Sequence, residues 1–85
     1  MPFDAVWHNI QVHAGQEFWT VKDHLFTYEA HEGYIRPSRT NQNISQSDFR
    51  KAYELFPLRG PGEIAKLVRG SAYVYAVLSD PRIHD

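Results

Sequence analysis

The stretch EFWTVKDHLFTYEAH, residues 17–31, decides how this chain folds. With Asp23 and His24 as two turn residues it reads as a β-hairpin. Lys22 then faces Leu25, Val21 faces Phe26, Thr20 faces Thr27 and Trp19 faces Tyr28. This register puts Trp19, Val21, Phe26 and Tyr28 on one face, and cross-strand aromatic and β-branched pairs of that kind stabilise a ribbon. A one-residue slip would scatter them to both faces. Asp-His is not a favoured two-residue turn, unlike Asn-Gly or Asp-Gly, so the apolar pattern carries the register. Gly33 opens a second turn, and Tyr34 to Arg36 add a short third strand, which Pro37 stops or leaves on an edge.

Helical spacing flanks the ribbon on both sides. Phe3, Val6, Trp7, Ile10 and Ala14 form one helical stripe, with Asp4 placed as N-cap and Gly15 placed as C′ glycine. Ile10 and Val12 could also serve a short strand, but the stripe is longer than that alternation. Residues 37–45 are polar and turn-like. Phe49, Ala52, Tyr53 and Phe56 then share a helix face behind a Ser45/Asp48 capping box, ended by Pro57. Gly60-Pro61-Gly62 begins a further helix with Ile64, Leu67 and Val68 on one face, closed by Gly70. Ser71 caps a last helix through Leu78, although Tyr73, Tyr75 and Val77 also alternate as in a strand. The expected fold is α+β: an N-terminal helix, a two- or three-stranded antiparallel hairpin sheet, and two or three C-terminal helices packed on it.

At 85 residues the chain is one domain, 1–85. So short a chain buries only about 60% of its extended surface. Five Phe, five Tyr and two Trp supply a dense core, and a homodimer is the other remedy. There is no cysteine, which points to a reducing compartment rather than a disulfide-stapled secreted domain. The N-terminal MPFDAVWHNI lacks the basic and apolar regions of a signal peptide. The longest apolar run, Ala72 to Leu78, falls far below the ~20 residues that span a bilayer. A cytoplasmic protein without membrane contact is expected.

Net charge is −1, but its distribution is uneven. Residues 1–33 hold one Lys and five acids, whereas residues 34–85 hold eight Lys or Arg and five acids. The excess concentrates around Arg36, Arg39, Arg50 and Lys51. Charge asymmetry of this kind points mildly to an anionic partner. It is equally what two halves that attract each other in one fold would show.

Three function classes follow. The leading one is a non-enzymatic protein-interaction module that self-associates, with Tyr73, Tyr75 and Val77 as interface residues. The apolar block Tyr73–Leu78 exceeds what one short element buries on all sides, unless it is itself the central core piece. The second is nucleic-acid binding through Arg36, Arg39, Thr40, Asn41, Asn43, Arg50 and Lys51, the cations toward phosphates and the amides toward base edges. Against it stand the near-neutral charge and the plain alternative of a polar loop before a solvated helix face. The third and weakest is a small enzyme built on Glu29, His31 and Glu32. The sequence holds no G-x-S-x-G, HExxH, G-x-G-x-x-G or P-loop, and a chain this size has little room for a pocket of ~300–1,000 Å³.

Five histidines raise the question of a metal. His8 and His13 lie five apart, which is about 140° of rotation on a helix and opposite faces on a strand. Glu29 and His31 share a strand face, but a zinc site needs four ligands, or three and water. No metal, cofactor or small-molecule ligand is expected.

Taken together, Phe18-x-Thr20, Phe26-x-Tyr28, Ser38-Arg39-Thr40, Ile44-Ser45-x-Ser47-Asp48-Phe49 and the run from Arg69 through Asp80-Pro81-Arg82-Ile83 resemble small bacterial proteins of the kind met in genome surveys and integron gene cassettes. The resemblance covers most of the chain. It implies a bacterial, stand-alone, cytoplasmic protein and carries over no catalytic or binding residue.

Overall fold

The structure is a computed structural model that describes residues 1–84. Helix α1 (Phe3–Val12) leads into strands β1 (Phe18–Trp19), β2 (Leu25–Phe26), β3 (Tyr28–His31), β4 (Tyr34–Pro37) and β5 (Ile44–Ser45). Helix α2 (Gln46–Tyr53), a 3₁₀ turn (Pro61–Ile64), α3 (Ser71–Leu78) and α4 (Pro81–His84) follow. The chain is thus α+β, with an N-terminal helix, a pair of small antiparallel sheets and C-terminal helices.

The two sheets share one run of chain. β1 pairs with β2, and β3 pairs with β4, which pairs with β5. Between β2 and β3 the Thr27 carbonyl accepts from the Ser38 amide at 2.8 Å, while the next carbonyl, Tyr28, accepts from the Gly15 amide at 3.0 Å. Successive residues of a strand turn their backbone groups to opposite edges. Residues 25–31 are therefore a single spine with one sheet on each side.

Side-chain alternation along this spine makes two layers. Phe18, Phe26, Tyr28, Ile35 and Ile44 point inward and are buried. Against them α1 packs on β3, α3 on β1 and α2 on β5. Val6, Trp7, Ile10, Phe49, Ala52, Val74, Val77, Leu78 and Ile83 complete the core. Tyr28 buries its ring and donates its hydroxyl to the Ile10 carbonyl at 2.5 Å, and burial raises that phenol far above its ordinary range. Of the expected set, Trp19, Phe26, Tyr28, Phe49 and Phe56, only Trp19 turns away from the core, 53% exposed.

That exception comes from the register of the first hairpin. Phe18 pairs with Phe26 and Trp19 with Leu25, not Trp19 with Tyr28. The pairing is shifted by three residues, and an odd shift exchanges the faces of β1. Phe18 goes in, and Trp19 and Val21 come out. The cause lies in the connection. Thr20 closes it, donating its amide to the His24 carbonyl at 3.0 Å and accepting the His24 amide on Oγ1 at 3.1 Å. Asp23 sits at φ 62°, a left-handed conformation that Asp tolerates better than most residues. A two-residue Asp-His turn would demand that conformation twice.

The second hairpin follows its sequence reading. His31 pairs with Tyr34 across Glu32-Gly33, and Gly33 lies at φ +84°. β4 extends one residue beyond the expected third strand, to Pro37. β5 then leads into α2, whose N-cap is Ser45, accepting the Asp48 amide on Oγ at 3.2 Å as the capping-box spacing expects.

Other expectations are corrected. The N-cap of α1 is Pro2, not Asp4, and its carbonyl accepts from Ala5 and Val6. Asp4 lies in the first turn, where an acid favours the helix dipole. Residues 60–70 form a 3₁₀ turn and bends rather than a helix, with Ile64 and Val68 buried and Leu67 51% exposed. Two glycines flanking Pro61 make a full helical nucleus costly in so short a segment. Residues 71–78 are helical as expected, but Gly70, at φ 60°, is the N-cap and Ser71 the first helical residue. A Cβ at Gly70 would lie 2.9 Å from Ile44 Cδ1, so a larger residue would have to displace that side chain as well as adopt the left-handed φ.

Candidate binding face

The helices cover one side of the sheet, and the other side carries outward side chains in rows across the strands. Glu29 and Arg36 face each other across β3 and β4, as do His31 and Tyr34. Asn43 lies beside Arg36 and accepts from its Nε at 2.9 Å. Trp19 and Leu25 form the row at the far end, 53% and 45% exposed. Their pairing on the outer face is the direct result of the shifted register.

The middle of this face is polar and organised. The His31 imidazole stacks on the Tyr34 ring, with centroids 4.7 Å apart and planes 14° apart, and its Nε2 lies 3.4 Å from Glu29 Oε1. Glu29 remains 70% exposed. Glu32, in the turn, does not join them in an ion pair among the described residues. The His31 Nε2 is itself buried and makes no hydrogen bond, so Glu29 and His31 meet as a half-exposed pair, and the Glu29/His31/Glu32 set forms no metal-ligand cluster among the described residues.

Of the seven residues singled out for nucleic acid, the structure gathers only some. Arg36 and Asn43 lie on the outer face. Arg39, Thr40 and Asn41 lie in the loop that joins β4 to β5, where Thr40 Oγ1 accepts the Gln42 amide at 3.2 Å. Arg50 and Lys51 belong to α2 in the helical layer. The Arg50 guanidinium lies 5.0 Å over the Phe3 ring and 3.9 Å from Asp4, and Lys51 lies 3.9 Å from Asp48. Both side chains stay more than half exposed, on a different element from Arg36.

The expected interface block is mixed, with Tyr73 and Tyr75 only partly buried. Val77 is fully buried, Tyr73 sets its ring edge-on to Phe26 at 5.0 Å, and Tyr75 stacks on Phe56 at 6.0 Å. No family model, curated protein or solved structure matches the chain. The face must therefore be read from its own chemistry.

Two grooves lie elsewhere. One of about 640 Å³ is bordered by Tyr53, Phe56, Pro57, Leu58 and Tyr75. Along it Tyr53 donates to the Met1 carbonyl at 2.5 Å, and Ser79 to the Tyr75 carbonyl at 2.6 Å. The other, about 420 Å³, lies between the β1–β2 connection and the start of α3. Among the described residues no three His, Asp or Glu side chains come together as metal ligands, and no helix is long and apolar enough to cross a membrane.

The sequence reading also missed a structural clamp. Asp80 caps α4, accepting the Arg82 amide at 2.9 Å. The Arg82 guanidinium bonds both Asp80 oxygens, at 3.0 and 2.9 Å, the Glu17 carbonyl at 2.8 Å and Gln16 Oε1 at 3.1 Å, and lies 4.0 Å over the Phe18 ring. These bonds hold the Asp80 carboxyl below its usual range. The available signal was Asp80-Pro81, a cap residue followed by Pro in the first helical position. Arg82 thereby ties the last helix to β1 and supports the end of the ribbon that carries Trp19.

Proposed function

We propose that this protein is a protein-interaction module that acts by binding through the helix-free face of its sheet. The observation that carries the reading is the exposed Trp19–Leu25 pair on that face. An uncovered antiparallel face normally presents polar residues to water. A half-exposed Trp gives the fold little and is the side chain most enriched among residues that dominate interfaces. The surrounding His31–Tyr34 stack and the Arg36–Asn43 bond supply the polar contacts that fix orientation.

One observation favours a second reading. Trp19 and the His31–Tyr34 pair could stack bases of a single strand, with Arg36 and Asn43 beside them. The charge decides against it. Glu29 stands in the same row as Arg36, the chain carries −1 overall, and Arg50 and Lys51 lie on the other layer. Phosphate contacts supply most non-specific nucleic-acid affinity and need a cationic surface.

A photo-crosslinking amino acid in place of Thr27, central to the outer face, tests both readings in cells, with Lys66 as the exposed control position. Protease-sensitive, nuclease-resistant adducts at 27, several-fold above those at 66, are expected. Adducts lost on nuclease treatment would move the assignment to nucleic acid. Yields no higher than at Lys66 would overturn any role for this face.

A further inference from the structure

On the reading just given, we infer that the partner on the open face is a second copy of this chain, packed face to face about a two-fold axis parallel to the strands and running between β3 and β4. A two-fold contact brings the same patch of both subunits together, so the patch must complement itself. The rows on the outer face meet that condition in one orientation only. Glu29 and Arg36 stand opposite each other on adjacent strands. An axis parallel to the strands exchanges the β3 and β4 columns, setting Glu29 of each copy over Arg36 of the other. An axis perpendicular to the strands through this row sets acid on acid and guanidinium on guanidinium. Opposed like charges penalise a wrong pairing by several kcal/mol, so the charge pattern selects the first axis.

The neighbouring rows agree with it. Exchanging columns places the His31 ring of one copy over Tyr34 of the other, preserving aromatic contact. Trp19 is carried toward the second copy's loop between β4 and β5, where Arg39 is exposed. A guanidinium over an indole is a favourable pairing. Net charge of −1 per chain leaves little long-range repulsion between copies. This assignment places self-association on the open side of the sheet rather than at Tyr73, Tyr75 and Val77, of which Val77 is buried and the two tyrosines are partly buried against Phe26 and Phe56.

The footprint sets the strength. The strands are short, two residues in β1 and in β5, four in β4 and the run 25–31 between them, so at ~3.3 Å rise and ~4.8 Å spacing they cover only roughly 240 Å² in plan, which places the contact in the small and transient class of interfaces. The dimer is thus expected to form at micromolar rather than nanomolar concentration.

Sedimentation equilibrium of the purified full chain from about 5 to 500 µM is expected to show a monomer–dimer equilibrium. The emission of Trp19 should shift to the blue as dimer forms, while buried Trp7 stays constant; Trp19→Phe removes the shift. Glu29→Arg alone and Arg36→Glu alone should each weaken the dimer at least about tenfold, yet an equimolar mixture of the two should form a heterodimer. The mixture separates the intermolecular contact from the Glu29–Arg36 neighbourhood within one chain, which neither variant can repair in itself. Thr27→Arg, in the middle of the face, should also block dimer formation, with an unchanged circular dichroism spectrum showing that the fold persists.

A wild-type chain that stays monomeric at 500 µM overturns the inference, and so does a dimer that survives both charge swaps and Thr27→Arg. In the first case, protein adducts at position 27 in cells would leave the interaction-module reading standing with a different partner. Absence of adducts there removes that reading as well.

Discussion

The two hairpins of this sheet use the same central strand but derive their registers from different sources. The hairpin 28–37 turns on Glu32-Gly33, where a glycine at φ +84° lets two residues reverse the chain. The hairpin 18–26 turns on five residues and is closed by the Thr20 side chain, with Asp23 in the left-handed region. One register follows from a local rule about glycine. The other follows from a side-chain bond and from which aromatic ring fits the core. The comparison shows that apolar patterning alone does not fix a ribbon when its turn carries no glycine.

The largest test of this contrast removes the anchor on each side. Phe26→Ala, which deletes a buried ring stacked 6.0 Å from Phe18, should destabilise the chain by about 3–5 kcal/mol in urea unfolding. Ile35→Ala in the second hairpin should cost about 2–5 kcal/mol. A first-hairpin loss much below the second would mean that the shifted register is not what the core selects.

Next in size is the Arg82 clamp, which touches only the first hairpin. Arg82→Ala should cost about 2 kcal/mol, the range for hydrogen bonds to charged groups at a partly exposed site. Amide exchange should speed up at residues 16–19 and remain unchanged at 29–36. The same clamp makes stability depend on acid pH. The Asp80 carboxyl is depressed below its ordinary 3.8 in the folded chain, chiefly by the Arg82 hydrogen bonds. Its contribution is therefore complete above the unfolded value and is lost as pH falls below about 4 through the folded value. Asp80→Asn should flatten that part of the acid-denaturation curve; an unaltered curve would place the acid sensitivity elsewhere.

The smallest effect separates the turns themselves. Gly33→Ala should cost about 1 kcal/mol, since nothing lies within 4 Å of a Cβ there and only the positive φ is penalised. Asp23→Gly in the other turn should stay within about 0.5 kcal/mol, strain relief offsetting added chain entropy. Equal losses at both sites would erase the distinction drawn between the two turns.

The α-helical stripes were legible because each is local. Val6, Trp7 and Ile10, or Phe49 and Ala52 behind the Ser45 cap, report their face by spacing alone. The second hairpin was legible for the same reason, through Gly33. Three features were not. The first register depended on Phe18 rather than Trp19 filling the core, a long-range choice made against α3. The segment after Gly60 carried a helical spacing that its glycines outweighed. The outer face joins residues from four strands: its Glu29–Arg36 and His31–Tyr34 rows follow from the Gly33 turn, whereas the Trp19–Leu25 row rests on the register that the sequence did not show. Of the residues expected to contact nucleic acid, Arg36 and Asn43 meet on the outer face, whereas Arg50 and Lys51 lie on α2. On α3 the core is made by Val74, Ala76, Val77 and Leu78, while Tyr73 and Tyr75 stay partly buried at its margin.

The strand 25–31 has a consequence for how the molecule comes apart. Because its alternate backbone groups serve the Ser38 side and the Gly15 side in turn, loss of either flank bares one edge of the strand on which the other flank is built. Local openings on the two flanks are thereby linked. A chain of 85 residues divided between two miniature sheets should nonetheless melt in a single all-or-none step, with no half-folded species that displays one ribbon without the other.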